Sequence, residues 1–474
     1  MRLRSACALF LASLAIPVAA GARAPEAADA AAPDDDKRPW ILRLDAIEEY
    51  RFRHATSHTR PAAVSGDPDD TVDDEQDHDL RLLLSGDATH QPLGLRVDLA
   101  LALWADLDGV APAGAPSTFG SLYDKGSPSI WFDVYALSLT WRSPTDAWLV
   151  RAGRQAAEYG RDAVFDGVTA RGRWLGRRLE VAVFGGRTVH FFEVGDGLFE
   201  DWLASAALVL RPHPTLRLDL DYRFLRETVL SRADRIDHGY GVRARWHPRD
   251  WLYVSGAVRG VDDAVTQVDV RASATWAALD LGLDVRVDAQ PSRLGEMDDA
   301  NDPYFLVLGR SLRHLRGMAD LWKGFDTRGG RFVVHAGWAG RQLLGESETR
   351  FNRNNHRVFL RLDGRDLGVK GPFASVVVDW HFEQSGASAD REGLLTVGGA
   401  AGFDTQRFRA EVGTAWQRYK YRYYQDAEEI ESVRTVWVDL RARPLSWLDL
   451  RLRYEFERFA RDVHTVTFGL GQRY

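Results

Sequence analysis

The stretch Leu216-Arg-Leu-Asp-Leu-Asp-Tyr-Arg-Phe224 decides the fold of this chain. Its even-numbered positions are all apolar and its odd-numbered positions are all charged. A period of two predicts an extended strand with one apolar face and one polar face. The pattern returns as Leu448-Asp-Leu-Arg-Leu-Arg-Tyr-Glu-Phe456 and, more loosely, along most of the chain. The sequence therefore predicts an all-β protein.

The composition favours an ordered protein with aromatic residues at an interface. Charged residues make up 27% and hydrophobic residues 45% of the 474 residues, unlike the composition of a disordered chain. Tryptophan is abundant at 16 residues. It is favoured where one side of the ring is apolar and the other is wet, as at a membrane surface. The net charge of −7 argues against nucleic acid as a partner.

The N-terminus has the parts of a secretory signal. A basic start precedes the apolar run Ala6–Ala20, and small residues follow up to Ala22. We therefore predict that residues 1–22 are a cleaved signal peptide, with an uncleaved anchor helix as the alternative. Residues 23–38 are rich in Ala, Pro and Asp and are predicted to be a flexible N-terminal segment. The only cysteine, Cys7, lies in the signal, so no disulfide is expected in the mature chain.

Residues 39–474 are predicted to form one outer-membrane β-barrel. Short connections rich in turn residues alternate with longer polar ones, as periplasmic turns and outer loops do in bacterial barrels. A soluble β-sandwich would distribute its tryptophans through a core. Here six of them stand beside the short turns, as in an aromatic girdle: Trp141, Trp148, Trp246, Trp251, Trp276 and Trp447. We predict a single large antiparallel transmembrane barrel of about 18–22 strands in the outer membrane of a Gram-negative bacterium.

The C-terminal segment agrees with this location. Val466, Phe468, Leu470 and Tyr474 share one parity, and the segment closes on an aromatic residue. It resembles the terminal strand by which the outer-membrane assembly machinery recognises its clients, although Gln472 departs from the apolar parity. Outer-membrane lipid and this assembly machinery are therefore predicted partners.

Residues 290–330 depart from the alternation. The apolar residues recur every three or four positions, which favours a short lumenal helix or a folded-in loop that constricts the barrel: Leu308, Leu312, Leu315, Met318 and Trp322. A solvated surface loop and an unrecognised strand are the alternatives. The strand before this segment, counted from the N-terminus, and the strand after it, counted from the C-terminus, run in the same direction. The segment therefore contains one further strand, or a strand has been assigned wrongly elsewhere.

Two segments resemble the alginate export family of outer-membrane barrels. The first contains Gly153-Arg-Gln155, Tyr159-Gly160, Arg161 and Phe165-Asp-Gly-Val168. The second contains Asp302-Pro-Tyr-Phe305, Arg313-His314, Gly317-Met318 and Asp320. The first segment is more closely spaced than in the family, and the second lacks the family's Pro-ended aromatic run. The resemblance implies a channel that conducts a polyuronate.

The polar faces of the strands are rich in arginine. If the apolar parity faces lipid, the opposite parity lines the lumen, where the planar arginine fork suits anionic solutes. Carboxylates on the same faces leave open a second interpretation, in which Arg–carboxylate ladders stiffen the wall. The candidate residues along the solute path, including those implied by the resemblance, are Arg154, Gln155, Arg161, Asp166, Arg171, Arg173, Arg217, Arg223, Arg243, Arg245, Arg310, Arg313, His314, Arg361, Arg441, Arg451 and Arg453.

No catalytic residue, metal site or cofactor is predicted. The acidic segment Asp67–Asp79 lacks the spaced register of a calcium loop and is interpreted as a solvated outer loop. The histidines are scattered and none belongs to a hydrolase signature. The predicted function is passive passage of an anionic oligo- or polysaccharide (alginate-like), or of small anionic solutes. A substrate-selective or general nutrient porin is one alternative, and a closed barrel with an enzymatic or structural role is another.

Overall fold

The computed structural model describes the chain in segments that together form one sheet. The described residues are 39–56, 75–107, 130–160, 163–189, 201–227, 235–292, 312–345, 354–383, 393–424, 427–458 and 462–473. They contain twenty-two antiparallel strands and a 3₁₀ turn at Ala277–Leu279. The strands are β1 (Trp40–Ala55), β2 (Glu75–His90), β3 (Leu95–Asp106), β4 (Ile130–Arg142), β5 (Trp148–Ala156), β6 (Val164–Trp174), β7 (Leu179–Thr188), β8 (Trp202–His213), β9 (Leu216–Glu227), β10 (Arg235–Arg249), β11 (Leu252–Val261), β12 (Ala264–Trp276), β13 (Leu281–Gln290), β14 (His314–Thr327), β15 (Gly330–Leu343), β16 (Asn355–Arg365), β17 (Pro372–Glu383), β18 (Gly393–Asp404), β19 (Phe408–Tyr424), β20 (Ala427–Leu445), β21 (Leu448–Arg458) and β22 (Asp462–Arg473).

The sheet closes on itself. Each strand pairs with its neighbours in the sequence, and β22 pairs with β1 from Asp45 opposite Arg473 to Ala55 opposite Val463. Closure removes both edges, so the first and last strands also have their backbone groups paired. The predicted all-β fold, a single large antiparallel barrel within the expected range of strand number, is confirmed.

The two faces of the wall follow the period of two seen in the sequence. On β9, Leu220 and Tyr222 face outward and are exposed to the surroundings of the barrel. The odd-numbered Arg217 and Asp219 of the same strand face the lumen, where they form an ion pair of 2.7 Å. An apolar outward surface around a polar interior is what a barrel needs to lie in a bilayer.

Tryptophans mark the rim that carries the short turns. Trp148 packs edge-on against Trp174, with 5.2 Å between the ring centroids, and Trp251 stacks on Trp276 at 6.0 Å. All six tryptophans predicted from the sequence lie in or beside these short connections. Trp40 and Trp174 also lie at this rim, so the aromatic girdle contains more tryptophans than the six predicted from the sequence.

The helical interpretation of the segment around residue 315 is wrong. His314–Thr327 is strand β14, which pairs with β13 and β15 along its length. Leu315 and Leu321 face outward, whereas Met318 and Trp322 have the lumenal parity. Apolar residues on both faces of a strand produce spacings of three and four that imitate a helix. The additional strand required by the count is therefore here, and residues 293–311 lie outside the described segments.

Several terminal predictions also fall outside the described residues, namely the signal peptide, the segment 23–38 and Tyr474. Within the described segments no helix is long and apolar enough to cross a membrane.

Glu48 interrupts the outward face of β1 and gives a first prediction. Its strand partners there are Leu82 and Leu470, so its carboxylate lies among apolar neighbours. We expect Glu48→Leu to raise the free energy of unfolding in lipid vesicles by about 1 kcal/mol, because a charge on the lipid face destabilises a barrel. Urea unfolding measures this change. The control is Glu49→Leu on the lumenal face, and an equal gain there would contradict the assignment of faces.

Candidate functional site

Residues 157–160, which follow β5 and which we call the folded-in segment, enter the barrel and narrow the lumen. The hydroxyl of Tyr159 donates a 2.7 Å hydrogen bond to Glu180 on β7. The carbonyl oxygen of Gly160 accepts a hydrogen bond from Arg259 on β11 at 3.4 Å. Gly160 has a φ of +78°, and a Cβ there would come within 2.9 Å of an Asp221 carboxylate oxygen. The segment is therefore anchored on two parts of the wall.

A hydrophobic cluster explains why this segment folds inward. Phe165 and Phe184 stack with ring centroids 5.5 Å apart, and Leu203 beside them is fully buried. These three residues have the lumenal parity, so water would contact them if nothing covered them. Ala157 and Tyr159 from the folded-in segment pack against the cluster. Burial of this apolar surface favours the inward conformation.

Charged groups hold the base of the segment. Glu158 binds Arg151 at 2.7 Å and approaches Arg171 at 3.6 Å. Arg173 bonds to Glu180 at 2.6 Å, on the carboxylate that accepts the Tyr159 hydroxyl. Burial and this bond to Glu180 raise the pKa of Tyr159 above its usual value, so the phenol remains a hydrogen-bond donor.

A cavity of about 230 Å³ separates the folded-in segment from strands β9–β11. Its charged lining consists of Glu158, four arginines and two aspartates. The arginines are Arg217, Arg243, Arg245 and Arg259, and the aspartates are Asp219 and Asp221. Asp219 binds both Arg217, at 2.7 Å, and Arg245, at 2.6 Å. Arg243 forms no ion pair with any carboxylate of the described residues. An anion in this cavity would therefore meet an arginine that the wall does not neutralise directly.

The arginine-lined wall continues along the barrel. Arg243 and Arg259 also line a neighbouring cavity of about 180 Å³ that contains Arg286. Arg259 reaches a third cavity, of about 280 Å³, with Arg223 and Arg316. Arginine side chains thus follow one another across β9–β14.

Most other lumenal arginines belong to ladders. Arg441 binds Asp449 at 2.7 Å and Arg451 binds Asp439 at 2.5 Å. Arg361 binds Asp363 at 2.8 Å, and Arg453 pairs with Glu455. The ladder interpretation therefore describes β16 and β20–β21, whereas Arg243, which forms no ion pair with a carboxylate of the described residues, lies near the folded-in segment.

The strand registers place most predicted path residues on the lumenal parity. These are Gln155, Arg171, Arg173, Arg217, Arg223, Arg243, Arg245, His314, Arg361, Arg441, Arg451 and Arg453. Only Arg217, Arg243 and Arg245 share the cavity beneath the folded-in segment. Gln155 is buried in the wall, where its side chain bonds Thr169 at 2.7 Å.

Arg154 and Asp166 correct the prediction for the first segment. They lie opposite each other on β5 and β6, and their side chains form a bond of 2.7 Å. They share the parity of the outward-facing Val150 and Val168, so they do not line the lumen. Their pair braces the outer side of the wall, since Arg154 also donates to the carbonyl oxygen of Val134.

The second segment is only partly described. Arg313 precedes β14, and its carbonyl oxygen accepts the backbone N–H of Leu344. His314 is buried at the lumenal wall beside Arg316. Arg161 and Arg310 lie outside the described residues.

Arg259, Glu158 and Asp221 are site residues that were not on the sequence-based list. Arg259 was detectable, because it is the charged residue of an otherwise uncharged β11. Glu158 was not detectable by alternation, since it lies outside the strands. In the described part of the chain no cluster of three or more potential metal ligands occurs, and residues 57–74 of the acidic loop region are not described.

Comparison with known proteins finds distant structural similarity. No family model and no curated protein matches the chain, so the alginate export resemblance stays a prediction. The chain is similar to the translocation pore of the P pilus usher PapC, with 9% identity, 90% of this chain and 99% of that chain covered, and a TM-score of 0.49. It is also similar to OccAB4 of Acinetobacter baumannii, with 8% identity, 91% of this chain and 98% of that chain covered, and a TM-score of 0.42. A third similar structure is a BenF-like porin from Pseudomonas fluorescens Pf-5, with 10% identity, 92% of this chain and 99% of that chain covered, and a TM-score of 0.43. The barrel fold itself rests on the strand pairing described above.

The anchoring of the folded-in segment gives a second prediction. Tyr159→Phe removes the hydrogen bond to the Glu180 carboxylate, which is worth about 1.5–3 kcal/mol for a charged acceptor. We expect the segment to leave the wall more often, which would appear as excursions to a larger single-channel conductance. The control is Tyr222→Phe, whose hydroxyl bonds His238 on the outward face. Identical recordings for the wild type and Tyr159→Phe would contradict the anchoring role.

Proposed function

We propose that this protein is a passive channel of a Gram-negative outer membrane that conducts anionic solutes. The closed barrel, its apolar outward surface and its polar lumen support a membrane-spanning pore. The observation that carries the preference for anions is Arg243, which lies beneath the folded-in segment without a carboxylate partner in the described part of the barrel. The C-terminal strand would meet the assembly machinery, and a cleaved signal peptide would direct export.

The solute class follows from the chemistry of this wall. An arginine binds a carboxylate through two parallel hydrogen bonds, and a row of arginines lets an anion move without leaving its partners. An anionic oligo- or polysaccharide of the alginate type is the first candidate. It is supported by the motif residues Gln155, Tyr159 and Gly160, which belong to the folded-in segment and its base. Small anionic solutes, carried by a substrate-selective or general porin, are the second candidate.

No catalytic step is needed for this function. The solute gradient, or an upstream secretion apparatus, supplies the driving force. The role of the protein is to hold charge at the constriction, because a fixed charge there concentrates counter-ions and excludes co-ions.

Charge reversal at the constriction gives a third prediction. In planar bilayers under a KCl gradient, Arg243→Glu and Arg259→Glu should each shift the reversal potential towards cation preference. The permeability ratio should change by about fivefold, because two unit charges 4 Å apart interact by about 1 kcal/mol in water. The control is Arg249→Glu, at the short-turn end of β10. A wild-type channel that already prefers cations would contradict the proposal.

Blocking experiments separate the two solute classes. A polyuronate that interrupts the anion current at concentrations where its monomer does not would support the polysaccharide candidate. Equal effects of polymer and monomer would favour the small-solute candidate. A barrel without measurable current would contradict the channel itself.

A further inference from the structure

Three strands carry the same pattern, Tyr-x-Phe-x-basic, at their outer ends, on the face that a channel does not use. The segments are Tyr50-Arg-Phe-Arg-His54 on β1, Tyr222-Arg-Phe-Leu-Arg226 on β9 and Tyr454-Glu-Phe-Glu-Arg458 on β21. In each, the tyrosine, the phenylalanine and the final basic residue share the outward parity. A basic residue thus stands one step beyond each aromatic pair.

A histidine on the neighbouring strand completes each of these groups. The tyrosine hydroxyls of Tyr50, Tyr222 and Tyr454 lie 2.7, 2.7 and 2.9 Å from the Nδ1 atoms of His78, His238 and His464. Each histidine lies directly opposite the phenylalanine of its group. Polar hydroxyls and imidazoles beside apolar rings are typical of the depth at which hydrocarbon meets headgroups. The outward basic residues beyond them lie at headgroup level.

The basic residues are densest where the barrel closes. Arg434 on β20 lies directly opposite Arg458 on β21, and Arg418 lies further along the same rim on β19. All three are exposed. On the other side of Arg458, His464 stacks on His54 of β1 with 6.4 Å between centroids. We call Arg418, Arg434, Arg458, His464 and His54 the basic rim patch.

Two arginines directly opposite each other on adjacent strands repel and destabilise the sheet unless an anion lies between them. On the lumenal face of the same two strands, carboxylates compensate a similar pair of arginines. There Arg441 is directly opposite Arg451, and Asp449 and Asp439 bind them. These carboxylates compensate the lumenal pair from within the wall.

The outward pair has only partial compensation among the described residues. Asp462 approaches Arg458 at 3.7 Å. No carboxylate of the described residues pairs with Arg434. An external anion on the outward side would therefore complete the compensation at Arg434.

We propose that the basic rim patch binds the phosphate groups of a phosphorylated glycolipid in the outer leaflet. This inference rests on the proposed outer-membrane location. The guanidinium fork matches phosphate oxygens, and Arg434 and Arg458 present two forks side by side. Below them, the apolar Val436 and Leu452 face outward and offer a surface for acyl chains. Headgroup and chains would thus contact one continuous stripe of wall.

The test uses the full chain in detergent micelles, with bisphosphorylated lipid A as the probe and native mass spectrometry as the readout. Arg434→Gln combined with Arg458→Gln should weaken lipid A binding by about tenfold or more, because charge-assisted hydrogen bonds are lost. The matched control is Arg441→Gln combined with Arg451→Gln, on the lumenal face of the same strands. It should bind lipid A as the wild type does.

A second measurement needs no variant and so does not depend on the variants folding. Lipid A from which both phosphates have been removed should bind the wild-type chain about tenfold more weakly than the bisphosphorylated form. Equal binding of the two lipids, or equal loss in both double variants, would overturn the proposal. Displacement of lipid A by inorganic phosphate at matched concentration would also overturn it, since the site would then recognise the free ion.

Failure of this inference is distinguishable from failure of the channel. The outward double variant should keep the wild-type reversal potential, because Arg434 and Arg458 do not line the lumen. A barrel that binds lipid A but shows no current would contradict the proposed function and leave the basic rim patch in place.

Discussion

Closure of the sheet between β1 and β22 is the constraint on which the rest of the structure depends. A backbone N–H or C=O left unpaired in hydrocarbon costs several kcal/mol, so a sheet in a bilayer must have no edge. The register of the closing pair also fixes the faces, because a slip by one residue would exchange them. In this register Tyr50 lies opposite Phe468 on the outward side, and Arg51 lies opposite Thr467 on the lumenal side.

A wall that is apolar outside must carry its charges inside, and this determines how the lumen is built. Arginines next to a low-dielectric wall are stabilised by nearby carboxylates, and one carboxylate serves two arginines at Asp219 and at Asp449. Ladders of this kind fill space and leave little net charge. The proposed selectivity for anions therefore depends on a local exception. Arg243 is such an exception, and it lies where the folded-in segment brings Gly160 close to the opposing strands.

The period of two in Leu216–Phe224 predicted the strands and their two faces, and the alternating short and long connections with their tryptophans predicted the barrel and its short-turn rim. Parity also explains both errors. The helical interpretation of His314–Thr327 failed because Leu315 and Met318 are apolar on opposite faces, so alternation was hidden. Arg154 and Gln155 were both assigned to the lumen from a motif, although adjacent residues of a strand cannot share a face. Strand parity could not predict the folded-in segment, because the position of this segment depends on a cluster of residues from β6, β7 and β8.

The arginines of this barrel can be understood by asking where their anion comes from. For Arg441 and Arg451 it comes from the neighbouring strand, and these residues serve the wall. Arg243 faces the lumen, where a passing solute can supply it. Arg434 faces outward near the outer end of β20, where a lipid headgroup would supply it under the proposed outer-membrane location. Strand parity gives the side of the wall and cross-strand register gives the internal partner. Together they distinguish an arginine that stabilises the barrel from one available to an external ligand, even though the side chains are chemically identical.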